Sequence, residues 1–264
     1  MYLLEYSLIV FPAIFLMVFI YMMEPLKKEP KFLLLASFGL GTLSPLLSGI
    51  FVIILEILRS VLTDVKDYFL ADVLFRFFII CGFCEELGKY IMLRVLTWKN
   101  KNFDCVFSGI VYAVFVSLGF AVLENFDYVS KYGISCAIDR MVTAIPGHAC
   151  FAVYMGYYYS KSKEMALLGN FKKSREFTRS AIFVPALIHG LYDAFMPLAK
   201  YITVGPMYMV LYMVWYAGIG FMFIFTLKFL SKVAKSSLYQ RHDNGNQGEA
   251  HIIKQAKELE SHRE

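Results

Sequence analysis

The sequence has few charged residues for its length. Aspartate, glutamate, lysine and arginine make up 18% of the 264 residues, whereas hydrophobic residues make up 58%. Soluble domains usually contain about 25% charged and about 45–50% apolar residues. The longest polar segment is the tail after Leu227, so the chain has no room for a soluble domain. This composition excludes an ordinary soluble enzyme and is typical of a protein that crosses a membrane several times.

The cysteines give no sign of a disulfide framework. Four of the five lie in long apolar stretches, where cysteine behaves as a small hydrophobic residue. Cys81 and Cys84 form a Cys-x-x-Cys pair, but no second pair accompanies them, and a structural zinc site needs four ligands. We therefore favour packing over a metal or redox role for these two residues.

Long apolar stretches fill most of the chain. About 20 apolar residues are needed to cross the roughly 30 Å of a bilayer's hydrocarbon core. Seven stretches meet this length approximately: Tyr6–Met23, Phe32–Leu55, Phe75–Leu96, Cys105–Leu123, Met141–Ser160, Ser180–Ala199 and Tyr201–Leu227. The first is interpreted as a retained span, because it lacks the basic n-region and Ala-x-Ala exit of a signal peptide. The sequence predicts an all-α polytopic bundle of about seven transmembrane helices in residues 1–230, followed by a polar cytoplasmic tail in residues 231–264.

Loops rich in lysine and arginine alternate with poorer ones. The rich segments hold Lys27, Lys28 and Lys31; Lys99 and Lys101; Lys161, Lys163, Lys172, Lys173, Arg175 and Arg179; and Lys228, Lys232 and Lys235. The poorer segments hold Arg59 and Lys66, then Lys131, then Lys200. Cytoplasmic loops are enriched in these residues, so we expect the N-terminus outside and the C-terminus in the cytoplasm of a multi-pass plasma-membrane protein. The net charge of +5 follows from this bias, which makes the lipid bilayer the expected partner and gives no reason to expect nucleic acid.

The third predicted span carries three ionisable residues, Glu85, Glu86 and Lys89. Each costs about 2.5–3.5 kcal/mol at the bilayer centre, and together they cost on the order of 8–10 kcal/mol. Lys89 lies at i,i+4 from Glu85 and at i,i+3 from Glu86, so it can neutralise one carboxylate. The other carboxylate must gain a proton, a cation or a hydrogen-bonding partner.

Other predicted spans supply polar residues at a similar depth. Glu124 and Asn125 end the fourth span, His148 lies mid-span in the fifth, and His189 and Asp193 lie at i,i+4 in the sixth. Single polar residues often only hydrogen-bond neighbouring helices, which is worth about 0.6–2 kcal/mol. That gain does not explain so costly a group, so we predict one polar active-site cavity.

Several protease signatures do not fit these residues. Neither membrane histidine is followed by the glutamate of a His-Glu-x-x-His zinc motif. The segment "LLSG" at Leu46–Gly49 lacks the first glycine of a rhomboid-type Gly-x-Ser-Gly. Tyr192-Asp193 matches half of a presenilin-type site, but "GIGF" at Gly218–Phe221 lacks the second aspartate.

Four motifs on successive spans do match one group of proteins. They are "EELGK" at Glu85–Lys89, "FAVLE" at Phe120–Glu124, "HACFAVYMG" at His148–Gly156 and "HGLYD" at His189–Asp193. In this order they resemble the PrsW family of intramembrane proteases, in the superfamily of CAAX prenyl endopeptidases and bacteriocin-processing proteins. The resemblance covers roughly residues 75 to 195. It implies a peptidase that cleaves a membrane-anchored protein, and the family's best-known role is site-1 cleavage of an anti-sigma factor in signal transduction.

The residues allow two mechanisms of peptide hydrolysis. Glu85 or Glu86 is a plausible base, and His148 and His189 could bind a divalent, zinc-like metal ion together with Glu124 or one of the paired glutamates. Alternatively, protonated histidines stabilise the oxyanion and a glutamate activates water directly. We name Glu85, Glu86, Glu124, His148 and His189 as candidate catalytic residues, with His148, His189 and Glu124 as candidate metal ligands. Supporting roles are expected for Lys89 as a counter-ion, for Asn125, and for Asp193 as the orienting partner of His189.

Two other functions stay open at this point. Buried acid and histidine chains also form proton relays, so an ion- or proton-coupled transporter or channel would use the same residues. Glycines and prolines interrupt several spans, which suits either function, but the chain has no internal repeat of the kind many transporters have. An inactive scaffold of the same fold is the third possibility.

Overall fold

The computed structural model describes residues 2–25, 28–62, 69–203 and 205–261, and all its regular secondary structure within these ranges is helical. The helices are α1 (Tyr2–Met23), α2 (Lys31–Leu62), α3 (Phe69–Leu74), a π-helical segment (Phe75–Glu85), α4 (Glu86–Thr97), α5 (Val106–Val142), α6 (Ala144–Leu167), α7 (Phe171–Ile202) and α8 (Pro206–Ser261). The prediction of an all-α fold is therefore confirmed.

Five helical segments of the described chain are long and apolar enough to cross a membrane: Leu4–Met23, Lys31–Val61, Val106–Leu167, Phe171–Ile202 and Pro206–Ser236. The third of these contains both α5 and α6. The predicted span Phe75–Leu96 is helical throughout, in its π-helical segment and α4. The fold is thus a polytopic bundle, and the count of seven spans stays a prediction.

Some residues that the sequence-based predictions include are not described by the structure. Lys27, Lys66, Val204 and the last three residues of the tail lie outside the described residues. The predicted division between residues 230 and 231 falls inside α8, and it also stays a prediction.

Helix α5 is the centre of the bundle. Every residue from Phe107 to Val122 is buried, as expected for a helix that is apolar on all sides. Glycines let its neighbours approach closely, as small residues do between membrane helices. A Cβ atom on Gly156 of α6 would lie 2.5 Å from the Gly109 carbonyl oxygen, and one on Gly119 would lie 2.2 Å from the Phe38 carbonyl oxygen of α2.

The first half of the third predicted span is a π-helix of 11 residues that ends at Glu85. Such helices are rare, and short π-helical turns frequently occur at functional sites. This segment packs closely against α7, because a Cβ atom on Gly82 would lie 2.4 Å from the Ala186 carbonyl oxygen. The paired glutamates therefore lie where the π-helix changes into α4, directly beside α7.

Helix α5 extends past the predicted end of its span at Leu123 and breaks at Gly133. The backbone there has φ 72° and ψ −160°, a combination that is essentially restricted to glycine. The remaining turns of α5 lead to α6, which begins at Ala144 and carries His148.

Candidate active site

Five helical elements bring the predicted polar residues together. Glu85, Glu86 and Lys89 come from the junction of the π-helix with α4, and Glu124 and Asn125 come from α5. His148 lies in α6, and His189 and Asp193 lie in α7. The contacts described next connect all eight residues, in part through one arginine that sequence analysis missed.

Glu86 lies at the centre of this group and its side chain is 0% exposed. Its Oε1 atom lies 2.7 Å from Nζ of Lys89 and 3.0 Å from Nδ1 of His189. Its Oε2 atom is buried without a hydrogen-bond partner in the described part of the chain. One oxygen of this carboxylate is therefore satisfied, and the other is able to accept a proton or bind a cation.

Lys89 is also fully buried, and its contacts determine the tautomer of His148. The Lys89 Nζ atom lies 3.2 Å from Nδ1 of His148 and 3.9 Å from the centre of the Phe120 ring. An ammonium group has only donors, so Nδ1 of His148 must accept in this contact. The ring proton of the neutral imidazole is then on Nε2, which lies 2.9 Å from Oε2 of Glu124 and donates to it.

His189 also has a partner at each ring nitrogen, but both partners are carboxylates, so each of its nitrogens faces an acceptor. Its Nδ1 atom faces Glu86, and its Nε2 atom lies 3.3 Å from Oδ2 of Asp193. The ring stacks on Phe151 with centroids 4.7 Å apart, which restricts its orientation. The centroids of the two histidine rings are 5.2 Å apart. Both imidazoles thus present Nδ1 to the Glu86 centre and Nε2 to a separate carboxylate.

Glu85 differs from Glu86 in its exposure. Its side chain is 18% exposed, and its Oε2 atom lies 3.8 Å from Nζ of Lys89 and 4.0 Å from Nε2 of His189. That oxygen, like Oε2 of Glu86, is buried and has no hydrogen-bond partner among the residues that the structure describes. The two neighbouring glutamates therefore have distinct environments, one enclosed and ion-paired and the other at the open side of the group.

The donor atoms fit a divalent metal ion. One atom each of Glu86, His148 and His189 lies within 4.8 Å of the other two, and all three residues are buried. Two imidazoles and one carboxylate are a ligand set of catalytic zinc sites, which leave another position for water or substrate. The buried Oε2 atom of Glu86, unpaired within the described ranges, is the oxygen that a cation would satisfy. The sequence predicts Glu124 or one of the paired glutamates as the third ligand; this group contains Glu86, and Glu124 contacts His148.

Arg140 belongs to the site but was missed by sequence analysis. Its Nη2 atom lies 3.1 Å from Oε2 of Glu124, and its Nε atom donates to the side-chain oxygen of Asn125. Asn125 is buried and donates in turn to the Ala121 carbonyl oxygen at 2.6 Å. The available signal was an arginine directly before a long apolar stretch, where an unpaired charge is costly.

An all-α membrane bundle with buried carboxylates and imidazoles in metal-binding geometry defines a class, the intramembrane hydrolases with a candidate metal centre. The comparison with protein families narrows this class. The chain belongs to the PrsW family of intramembrane metalloproteases, whose family model matches residues 29–219. It is therefore a multi-pass membrane peptidase, and the family's description favours the metal-dependent mechanism over the purely glutamate-dependent one.

Relatives in several bacteria support this family. The chain is 34% identical to Protease PrsW of Clostridioides difficile over 177 residues, which are 66% of this chain and 68% of the relative. It is 32% identical to Protease PrsW of Bacillus subtilis over 183 residues, 69% of this chain and 78% of the relative. The match to Protease PrsW of Shouchella clausii, 29% identical, extends over 86% of this chain and 94% of the relative. No solved structure matches the chain.

Proposed function

We propose that Glu86, His148 and His189 bind a divalent metal ion within the bilayer, and that Glu85 is the base for hydrolysis of a peptide bond in a membrane-anchored protein. The observation that supports this most directly is the Oε2 atom of Glu86. It is buried, it has no partner in the described segments, and it belongs to a group whose imidazole nitrogens lie within metal-binding reach.

The environments of the paired glutamates support different roles for them. Glu86 is enclosed and held by Lys89 and His189, as a ligand needs to be. Glu85 has an 18% exposed side chain, although its Oε2 atom, about 4 Å from Lys89 and His189, is itself buried. The exposed part of the Glu85 side chain is where water and a substrate can approach it. A base must be able to reach a water proton in the complex with substrate, and Glu85 meets this requirement better than Glu86.

In the proposed reaction, the oxygen of a water molecule bonds to the carbonyl carbon of the scissile peptide, and the carbon–nitrogen bond then breaks. Glu85 takes the proton that the attacking water loses and returns it to the leaving amine. When bound, a divalent metal supplies a Lewis acid that polarises the carbonyl and acidifies water. Two product chains result, one with a new carboxylate and one with a new amine.

Two further carboxylates hold the proposed ligands in place. Glu124 accepts from Nε2 of His148, and Asp193 lies 3.3 Å from Nε2 of His189. Such contacts fix the tautomer and the ring orientation of a metal-binding histidine. This assigns Glu124 an orienting role and leaves Lys89 as the counter-ion of Glu86.

In the proposed topology, Glu124 lies near the outer end of its predicted span, toward the outer face of the plasma membrane. We therefore propose cleavage near that face, with the N-terminus outside and the C-terminus in the cytoplasm as the loop charges predict. The resemblance to known proteases suggests an anti-sigma factor as the membrane-anchored substrate.

The test combines metal analysis with cleavage of a single-span substrate by protein purified in detergent. Glu85→Gln is expected to keep its metal and to lose roughly 10²–10⁴-fold in kcat, the usual contribution of a catalytic base. Glu86→Gln and His189→Ala are expected to lose both metal and activity. Glu164→Gln, which alters a glutamate paired with Lys161 at a distance from the site, is the matched control.

Two results would contradict the proposal. Wild-type cleavage by Glu85→Gln would exclude Glu85 as the base, and a full metal complement in Glu86→Gln would exclude Glu86 as a ligand. Proton or ion flux in proteoliposomes, lost in the same variants without any substrate cleavage, would support the transporter instead.

A further inference from the structure

We propose that Arg140 is a positioning residue: it holds Glu124 where that carboxylate keeps the Nδ1 atom of His148 directed at the metal centre. This inference rests on the proposed metal site and extends it to a residue outside the four sequence motifs. Its basis is a chain of contacts from Arg140 through Glu124 to His148.

Arg140 has three partners at the open side of the site. Its guanidinium lies 3.1 Å from Oε2 of Glu124, donates to Asn125, and covers the Tyr128 ring at 3.8 Å. The planar guanidinium presents several donors in a fixed arrangement, so it can hold a carboxylate and an amide at once. The side chain is 17% exposed, and its hydrogen-bonding groups are directed at Glu124 and Asn125.

The break in α5 is what brings Arg140 to this position. Arg140 follows Glu124 by 16 residues, which in a straight helix would separate them by roughly 24 Å. The backbone at Gly133, with φ 72° and ψ −160°, turns the chain so that the two side chains meet. A residue other than glycine is strained in this conformation, so a specific feature of the backbone delivers the arginine to the acid.

Glu124 needs a partner of this kind because it lies at an open side of the site. Its side chain is 20% exposed and has several rotatable bonds, so water competes for its oxygens. The Oε2 atom that accepts from Nε2 of His148 is the same atom that Arg140 contacts. By fixing this oxygen, Arg140 fixes the acceptor that sets the tautomer and the ring plane of His148.

The experiment compares Arg140→Met, Arg140→Lys and Glu124→Gln with wild type, together with the double variant of Arg140→Met and Glu124→Gln. Each purified protein is titrated with Zn²⁺ against a chromophoric chelator, and kcat and KM are measured on one single-span substrate. Lys131→Met is the matched control, because Lys131 is an exposed lysine in the same region of α5, paired with Asp127.

Arg140→Met is expected to weaken Zn²⁺ binding roughly 10–100-fold, the usual effect of losing a residue that orients a metal ligand. It should also lower kcat with little change in KM. Arg140→Lys should lie between it and wild type, and Lys131→Met should equal wild type. In the double variant, the loss of Arg140 should add little to the effect of Glu124→Gln, because one contact acts through the other.

Wild-type Zn²⁺ affinity in Arg140→Met would overturn the inference, and so would fully additive losses in the double variant. If Arg140→Met does not fold, the same decision rests on Arg140→Lys, whose equality with wild type would be the negative result. If wild type itself binds no Zn²⁺, the proposed metal site is wrong. The role of Arg140 is then decided separately by the kcat values of wild type, Arg140→Met, Glu124→Gln and the double variant.

Discussion

The Nζ atom of Lys89 lies 3.2 Å from Nδ1 of His148. The same ammonium group lies 2.7 Å from Oε1 of Glu86, so one lysine contacts two of the three proposed metal ligands. The positive charge neutralises the buried carboxylate, and a metal ion at Nδ1 would compete with the lysine for His148. Stability and metal binding are therefore coupled through Lys89.

Replacement of Lys89 by methionine tests this coupling. In the presence of a chelator, Lys89→Met is expected to destabilise the protein by about 3–5 kcal/mol, because Glu86 loses its closest counter-ion in a buried site. Added Zn²⁺ should restore most of this loss, since the metal supplies positive charge at the same place. Unfolding in mixed micelles, with and without Zn²⁺, measures both effects. Lys161→Met is the control, and equal stability of Lys89→Met and wild type in chelator would refute the expectation.

The close packing of α5 against α6 predicts that a larger residue at their contact lowers the thermal stability of the protein. Gly156→Ala should lower the melting temperature and shift helix packing, because the new Cβ atom would lie 2.5 Å from backbone atoms of Gly109 and Ile110. Gly218→Ala is the matched control: its Cβ atom would meet no described atom within 4 Å, and alanine is favoured over glycine in a helix by about 1 kcal/mol. Thermal unfolding of the two variants should therefore change in opposite directions. An unchanged melting temperature in Gly156→Ala would show that α5 and α6 separate more easily than this contact implies.

The orientation of the chain is tested by reporter fusions. A reporter at Lys172 should lie in the cytoplasm and one at Gly133 should lie outside, because lysine-rich segments are retained in the cytoplasm. Alkaline phosphatase, active outside, and a fluorescent protein, active inside, give opposite readings at each position. Detection of both positions on one side would disprove the proposed topology.

The buried carboxyl group of Glu24, in the loop after α1, is expected to make the stability of the protein depend on pH. Burial raises the pKa of Glu24 from 4.5 to about 7, although the Glu29 backbone N–H donates to its carboxylate. The folded protein then binds more protons than the unfolded chain between these two pH values, so the free energy of unfolding falls as the pH rises through this window. Glu24→Gln should remove this fall.

The measurement for Glu24 is thermal unfolding in detergent at pH 5 and pH 8. Glu24→Gln should be more stable than wild type at pH 8, and this difference should shrink at pH 5, where the wild-type carboxyl is protonated. The exposed Glu176→Gln provides the comparison. An identical difference at both pH values would exclude Glu24 as the titrating group.

Several features of the site were predictable from sequence because charge is so costly in a bilayer. Glu86 and His189 lie in apolar stretches that tolerate ionisable groups only where those groups find partners. Motif order and helical spacing then indicated that the two side chains belong to one centre, and their atoms lie 3.0 Å apart. Helix content followed similarly from long apolar runs, since a spanning chain must satisfy its backbone hydrogen bonds internally.

The different environments of Glu85 and Glu86 were not predictable, because adjacent residues of one type look alike in sequence. Their separation depends on how the π-helix packs against α7 and on which carboxylate Lys89 reaches. The place of Arg140 was also hidden, since its contact with Glu124 depends on the backbone at Gly133. Composition and motif order were sufficient for the membrane class and the helices, because transfer energies and spacing are local properties. Only the tertiary structure decided which atoms meet. The distances between side-chain atoms and the direction of the chain after Gly133 depend on how the helices pack, and the sequence pattern does not contain this information.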